Sequence, residues 1–144
     1  MKKFIYLVVA VCMLTTACDI ERSDNGDLDG LWQLRAADTL ATGGTADLHA
    51  SQTWWAFQGK IVHMHDSVAA HPDVVGHFVC TTSTLTLLDL CFSVREQGDV
   101  RVEDADALNA MGLHSLNEDM RLLTLNASTM VVETSRLRLH FKKM

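Results

Sequence analysis

The chain has 144 residues, 48% of them apolar and 21% charged, which suits one compact domain with a real core and leaves no room for two. A single proline and eight glycines exclude a linker-dominated or low-complexity protein. The formal charge of −6 becomes −8 once Lys2 and Lys3 are removed with the segment 1–17, and an acidic chain without clustered Lys and Arg is a poor nucleic-acid partner.

The first segment, "MKKFIYLVVAVCMLTTAC", has two lysines, an apolar run from Phe4 to Leu14, and small residues leading into Cys18. That order of charge, apolar run and small residues is the pattern of a secretory signal, and the run is too short for a comfortable membrane span. The stretch resembles a bacterial lipobox, in which small residues precede a cysteine that is acylated and becomes the new N-terminus. Ala17 before Cys18 suits such a site, and Val11 before Cys12 is too bulky for it. Thr15 stands where these boxes usually carry leucine. The resemblance implies residues 1–17 as a lipoprotein signal peptide and Cys18 as a lipid anchor in the cell envelope, in an outer-membrane lipoprotein facing the periplasm or the cell surface. Residues 18–27, "CDIERSDNGD", are acidic and aperiodic and read as a flexible tether.

From Leu28 onward the hydrophobic period is mostly two. In "LWQLRAADT", Trp32, Leu34 and Ala36 alternate with Leu31, Gln33 and Arg35, as in a half-buried strand. "QTWWAFQGKIVHMHD" predicts a hairpin turning at Gln58 to Lys60, with Gly59 supplying the permissive backbone. "DVVGHFVCTTSTLTLLDLCFSV" predicts two strands joined near Thr82 to Thr84. "DADALNAMGL" breaks the pattern: Asp104 or Asp106 can cap a short helix near 104–112, Leu108 and Met111 share a face, and Gly112 stops it. "MRLLTLNASTMVVETSRLRLHFKK" then predicts three strands with turns at Asn126 to Ser128 and near Thr134. The sum is about eight antiparallel strands in up-and-down order, enough for an all-β sheet over 28–144 to close on itself, with the helix as lid or plug.

Gly30-Leu31-Trp32, at the start of the first strand, is similar to the Gly-x-Trp signature of lipocalins and related barrels. That resemblance implies that Trp32 closes one end of the barrel and that an arginine of the last strand, Arg136 or Arg138 in "SRLRLHF", lies across its ring. The chain from Leu28 to Met144 also resembles small lipocalin-like lipoproteins of Bacteroidetes type, in which a short helical segment ending near a glycine precedes the closing hairpin.

Residues that could carry chemistry are sparse. His63 and His65 in "HMHD" project from one strand face, and His77 on the next strand could approach them with Asp66 nearby, but no Cys-x-x-Cys or His-Glu-x-x-His pattern supports a metal site. The chain lacks Gly-x-Ser-x-Gly, P-loop and dinucleotide-binding motifs, so no enzyme activity and no cofactor is implied. After the signal and anchor are set aside, Cys80 and Cys91 remain, too far apart along the predicted hairpin to be bridged within it. Trp55 and Phe57 share one strand face and Trp54 takes the other. They either fill a small core or line a pocket of several hundred cubic ångströms for a small apolar ligand, with Trp54 as a possible outer contact. The function expected is a non-enzymatic, lipid-anchored binding module. The alternative is an interaction subunit of the envelope with a filled barrel and an unidentified protein partner.

Overall fold

The computed structural model describes residues 23–68 and 71–144. Ten antiparallel strands form one sheet: β1 (Gly30–Thr39), β2 (Thr45–Asp47), β3 (Thr53–Gln58), β4 (Ile61–Asp66), β5 (Asp73–Cys80), β6 (Thr84–Val94), β7 (Gly98–Arg101), β8 (Glu118–Leu125), β9 (Thr129–Glu133) and β10 (Leu137–Lys143). Eight of them, all but β2 and β7, follow one another round a ring that the pairing of β10 with β1 closes. The closing register runs from Trp32 opposite Lys143 to Thr39 opposite Leu137. Closure removes the exposed edges that an open sheet of this size would present.

The short strands extend the two longest ones. β1 pairs with β3 over Gly30–Gln33 and with β2 over Ala36–Asp38, and β6 pairs with β8 over Thr84–Leu87 and with β7 over Cys91–Val94. The sheet bends at bulges, each of which adds curvature that a ring needs. One lies in β1 between Leu34 and Ala36. It shifts the inward position from the expected Ala36 to Ala37, which is buried. Another opposes Gly76 of β5 to Asp89 and Leu90 of β6. Asp89 takes up a φ of +52° there, which turns Leu90 into the core.

The expected hairpin at Gln58 to Lys60 forms as a two-residue turn, with Gln58 opposite Ile61 and Gly59 at φ +61°. The turn between β5 and β6 places Cys80 opposite Leu85 and tightens around Thr81, whose hydroxyl accepts from the Thr84 amide. Both thiols are free. Asn126 Oδ1 accepts from the Ser128 and Thr129 amides and so fastens the turn between β8 and β9.

The predicted helix is a 3-10 helix, Ala105–Met111. Asp104 caps it by accepting from the Asp106 amide at 2.9 Å, and Gly112 ends it at φ +84°. Its buried Leu108 and Met111, followed by buried Leu113, plug the end of the barrel at which β7 connects to β8, and Gly112 lies against Leu139. Order at the other end begins before Leu28. A 3-10 turn, Gly26–Leu28, seats Leu28 in the core, and Asn25 donates to the Gly59 carbonyl at 2.7 Å. Residues 23–27, expected as tether, are therefore fastened to the barrel by hydrogen bonds that a period-two pattern does not encode. The signal and Cys18 lie outside the described residues.

Candidate functional site

Three regions could carry function: the barrel interior, the end closed by Trp32, and the outer face of β3 to β6. In the interior, alternation sends Trp55 and Phe57 inward and leaves Trp54 half-buried on the outside. Trp55 packs against Phe57 and Phe141 with ring centroids 6.3 and 4.8 Å apart, and Phe57 meets Phe78 edge-on at 5.1 Å. Methionines share this core: Met64, Met111, Met120 and Met130 are all buried, Met111 as part of the plug.

Trp55 is 0% and Phe57 2% exposed. A side chain bordering a cavity of several hundred cubic ångströms would present surface to it, and these two present essentially none. Inside the barrel, packed side chains therefore occupy the space beside Trp55 and Phe57 where an interior pocket was expected. Period two identifies an inward residue, but whether inward residues meet depends on the volumes of all of them together. The interior also holds polar groups. Glu118 accepts from the His114 amide at 3.0 Å, whereas the Trp55 indole nitrogen is buried without a hydrogen-bond partner.

At the closing end Trp32 is fully buried and donates from Nε1 to the Leu28 carbonyl at 2.7 Å. The cation over its ring is Lys143, with Nζ 5.1 Å from the centroid and 2.7 Å from the Asp27 carbonyl it donates to. Neither Arg136 nor Arg138 takes that role, and this corrects the expectation drawn from the family signature. The register of β10 explains it: Lys143 lies opposite Trp32, while Arg138 lies opposite Asp38, towards the other end of β1. Arg138 instead donates from Nε and Nη2 to Glu133, which Arg121 also engages. The Arg138 hydrogen bond, helped by that of Arg121, holds the Glu133 carboxyl below its ordinary range. Gly30 has φ +121°, and a Cβ there would lie 2.9 Å from Lys143 Cε. The Gly-x-Trp pair thus makes room for the lysine that covers the tryptophan.

On the outer face His63 Nε2 lies 2.9 Å from Asp73 Oδ2, and His65 bonds the other oxygen of the same carboxylate. Burial pushes the Asp73 carboxyl up, but its bonds to His65 and His63 outweigh that and hold it low. The partner is Asp73 and not the nearby Asp66, because β5 lies beside β4 with Val75 opposite His63. His77 turns to Asp89 at 3.6 Å. Among the described residues no group of three His, Cys, Asp or Glu is arranged to hold a metal ion.

Two open grooves also lie on the surface. One, of about 370 Å³, lies between Ile61, Val75, His77, Asp89 and Cys91. The other, of about 960 Å³, runs between the N-terminal segment at Asn25 and the β3–β4 turn at Lys60, over Leu31, Ala56 and Phe57. Lys143 and Asp73 are the residues that sequence reasoning missed. Both sit on strands it had identified, but their partners are set by cross-strand register.

A family model described as a lipocalin-like domain matches residues 12–144. Two solved structures share the fold. A lipocalin-like protein from Bacteroides uniformis superposes with a TM-score of 0.63 at 19% identity, over 83% of this chain and 100% of that one. An uncharacterized protein from Bacteroides eggerthii superposes with a TM-score of 0.57 at 12% identity, over 81% of this chain and 99% of that one. No curated protein matches.

Proposed function

Since the chain belongs to the lipocalin-like domain family, we propose that the mature protein is a non-enzymatic, lipid-anchored module of the cell envelope that works through its outer surface. The observation that carries this reading is the filled interior, with Trp32, Trp55, Met64, Leu87 and Val132 each at 0% exposure. A barrel packed in this way offers partners its loops and outer face. The anchor rests on the order of lysines, apolar run and small residues before Cys18. The absence of nucleophile and nucleotide motifs from the sequence favours binding over catalysis.

One observation favours a second reading, the carrier. Three buried methionines, Met64, Met120 and Met130, belong to the core and a fourth, Met111, to the 3-10 plug itself, and methionine repacks around a guest more readily than branched side chains do. Lipocalin-size barrels hold one small ligand when the interior opens.

Native mass spectrometry of the protein purified gently from its own envelope separates the two. The expected mass is that of the chain from Cys18 with its acyl groups and nothing more. A discrete further mass that disappears on denaturation would overturn the surface reading in favour of the carrier. The anchor has its own test: Cys18→Ser should release the protein from the membrane fraction, and retention there would sink it.

A further inference from the structure

Lysines are distributed unevenly over this molecule. Lys2 and Lys3 belong to the signal segment, and the other three, Lys60, Lys142 and Lys143, fall at one end of the barrel. Connectivity puts them together: Lys60 occupies the turn between β3 and β4, next to the rung that pairs Phe57 with Gly30, and Lys142 and Lys143 end β10 opposite Gln33 and Trp32. In an up-and-down ring alternate turns lie at the same end, so Thr81–Ser83 and Asn126–Ser128 are here too, and neither turn carries a charge. The connections at the opposite end carry Glu96, Glu103, Asp104 and Asp106 against Arg95 and Arg136, and the strands β2 and β4 end there on Asp47 and Asp66, so that end is acidic on balance. Ile61 and Leu31, 53% and 42% exposed, stand beside the lysines.

The N-terminal segment leaves from this same end. Asn25 is bonded to the Gly59 carbonyl, and Leu28 is seated in the core, so the chain upstream of Ser23 starts beside Lys60. From Cys18 to Ser23 is five residue steps, at most about 18 Å of fully extended chain. We propose that this end of the barrel docks on the membrane that holds the anchor, with Lys60 and Lys142 against anionic phosphate headgroups and Ile61 and Leu31 at the interface. The proposal rests on the reading of Cys18 as acylated.

Opposing charge is present at this end as well, because Asp24, Asp27 and Asp29 belong to the N-terminal segment. Asp29 accepts from the neutral Ser23 and Asn25 and keeps its charge, so these three acids offset the three lysines in number, and Lys143 is committed to Trp32 and the Asp27 carbonyl. Docking by the free domain is therefore weak. The anchor makes the contact intramolecular, and a weak contact then suffices to set orientation. The acidic opposite end is repelled from the same surface, which adds to the bias.

The test is hydrogen exchange on the full lipidated protein, whose intact mass first establishes whether Cys18 carries acyl groups. The protein is placed in vesicles of phosphatidylcholine alone or mixed with phosphatidylglycerol. In the mixed vesicles the amides of 58–61 and 141–144 should exchange about fivefold more slowly, while those of 103–112 are unchanged. Lys60→Gln with Lys142→Gln should remove the difference, since both side chains are exposed and neither packs in the core. An acylated protein that exchanges equally at both ends in both vesicles would overturn the docking surface and leave the anchor standing. A mass without acyl groups would overturn both.

Discussion

Lys143 and Trp32 face each other across the seam where the last strand meets the first, with the ammonium 5.1 Å from the ring centroid and the aliphatic stem passing over Gly30. The contact joins three parts of the chain, because Trp32 also donates to Leu28 and Lys143 to Asp27. Closing a ring between strands more than a hundred residues apart costs chain entropy, and the groups that meet at the seam offset it.

Gly30→Ala tests that seam. A Cβ at Gly30 adds strain at φ +121° and displaces the Lys143 stem, so unfolding free energy in urea should fall by about 1–3 kcal/mol. Gly59→Ala is the control: its φ of +61° also disfavours a side chain, but nothing lies within 4 Å of the added carbon. Its cost should be about 1–2 kcal/mol. Lys143→Gln added to Gly30→Ala should produce less than the sum of the two single losses, since the residues act on the same contact.

Gly76→Ala should be worse tolerated than either. Its Cβ would lie 2.6 Å from Leu90 Cδ2 and 2.8 Å from the Leu88 carbonyl, and the second obstacle is backbone. A loss of about 2–3 kcal/mol is expected from overpacking at the bulge, measured as a lowered urea midpoint with an unchanged slope.

Trp55→Ala removes a ring held by Phe57 and Phe141 and should cost about 3–5 kcal/mol. Trp55→Phe should cost less than half as much. It keeps most of the buried apolar area and removes an indole N–H that has no partner in the core. Equal losses from the two substitutions would overturn the expectation that the retained ring area sets the cost.

Acid should weaken the outer face of β8 to β10 through Glu133. Its ordinary value of 4.5 is lowered in the folded protein, first by the Arg138 hydrogen bond and then by Arg121. A carboxyl lowered on folding stabilises the protein fully above its unfolded value, and that contribution disappears as pH falls through the folded value. The melting temperature should therefore drop below about pH 4.5, and Glu133→Gln should flatten the drop while lowering stability at neutral pH. Both arginines reach into solvent, so added salt should shrink the difference.

Local chemistry made several features legible without a structure. The Asp104 cap, the Gly112 stop, the Gly59 turn and the inward pairing of Trp55 with Phe57 each depend on residues a few positions apart, and each forms as its spacing implies. The eight strands of the ring followed from period two and turn residues, whereas the short β2 and β7 that extend β1 and β6 did not. What the spacing could not reach was contact between distant segments. Arg138 reads as well placed to cover Trp32 until the β1–β10 register sets Lys143 there instead. Asp66 is nearer than Asp73 to His65 in the chain, yet β5 brings Asp73 to both histidines. The filling of the barrel was hidden for the same reason. Alternation assigns each side chain a face, whereas the space left between opposite walls depends on every inward volume, on the bulges that bend the sheet and on the plug that enters it. Those quantities exist only once the ring has closed.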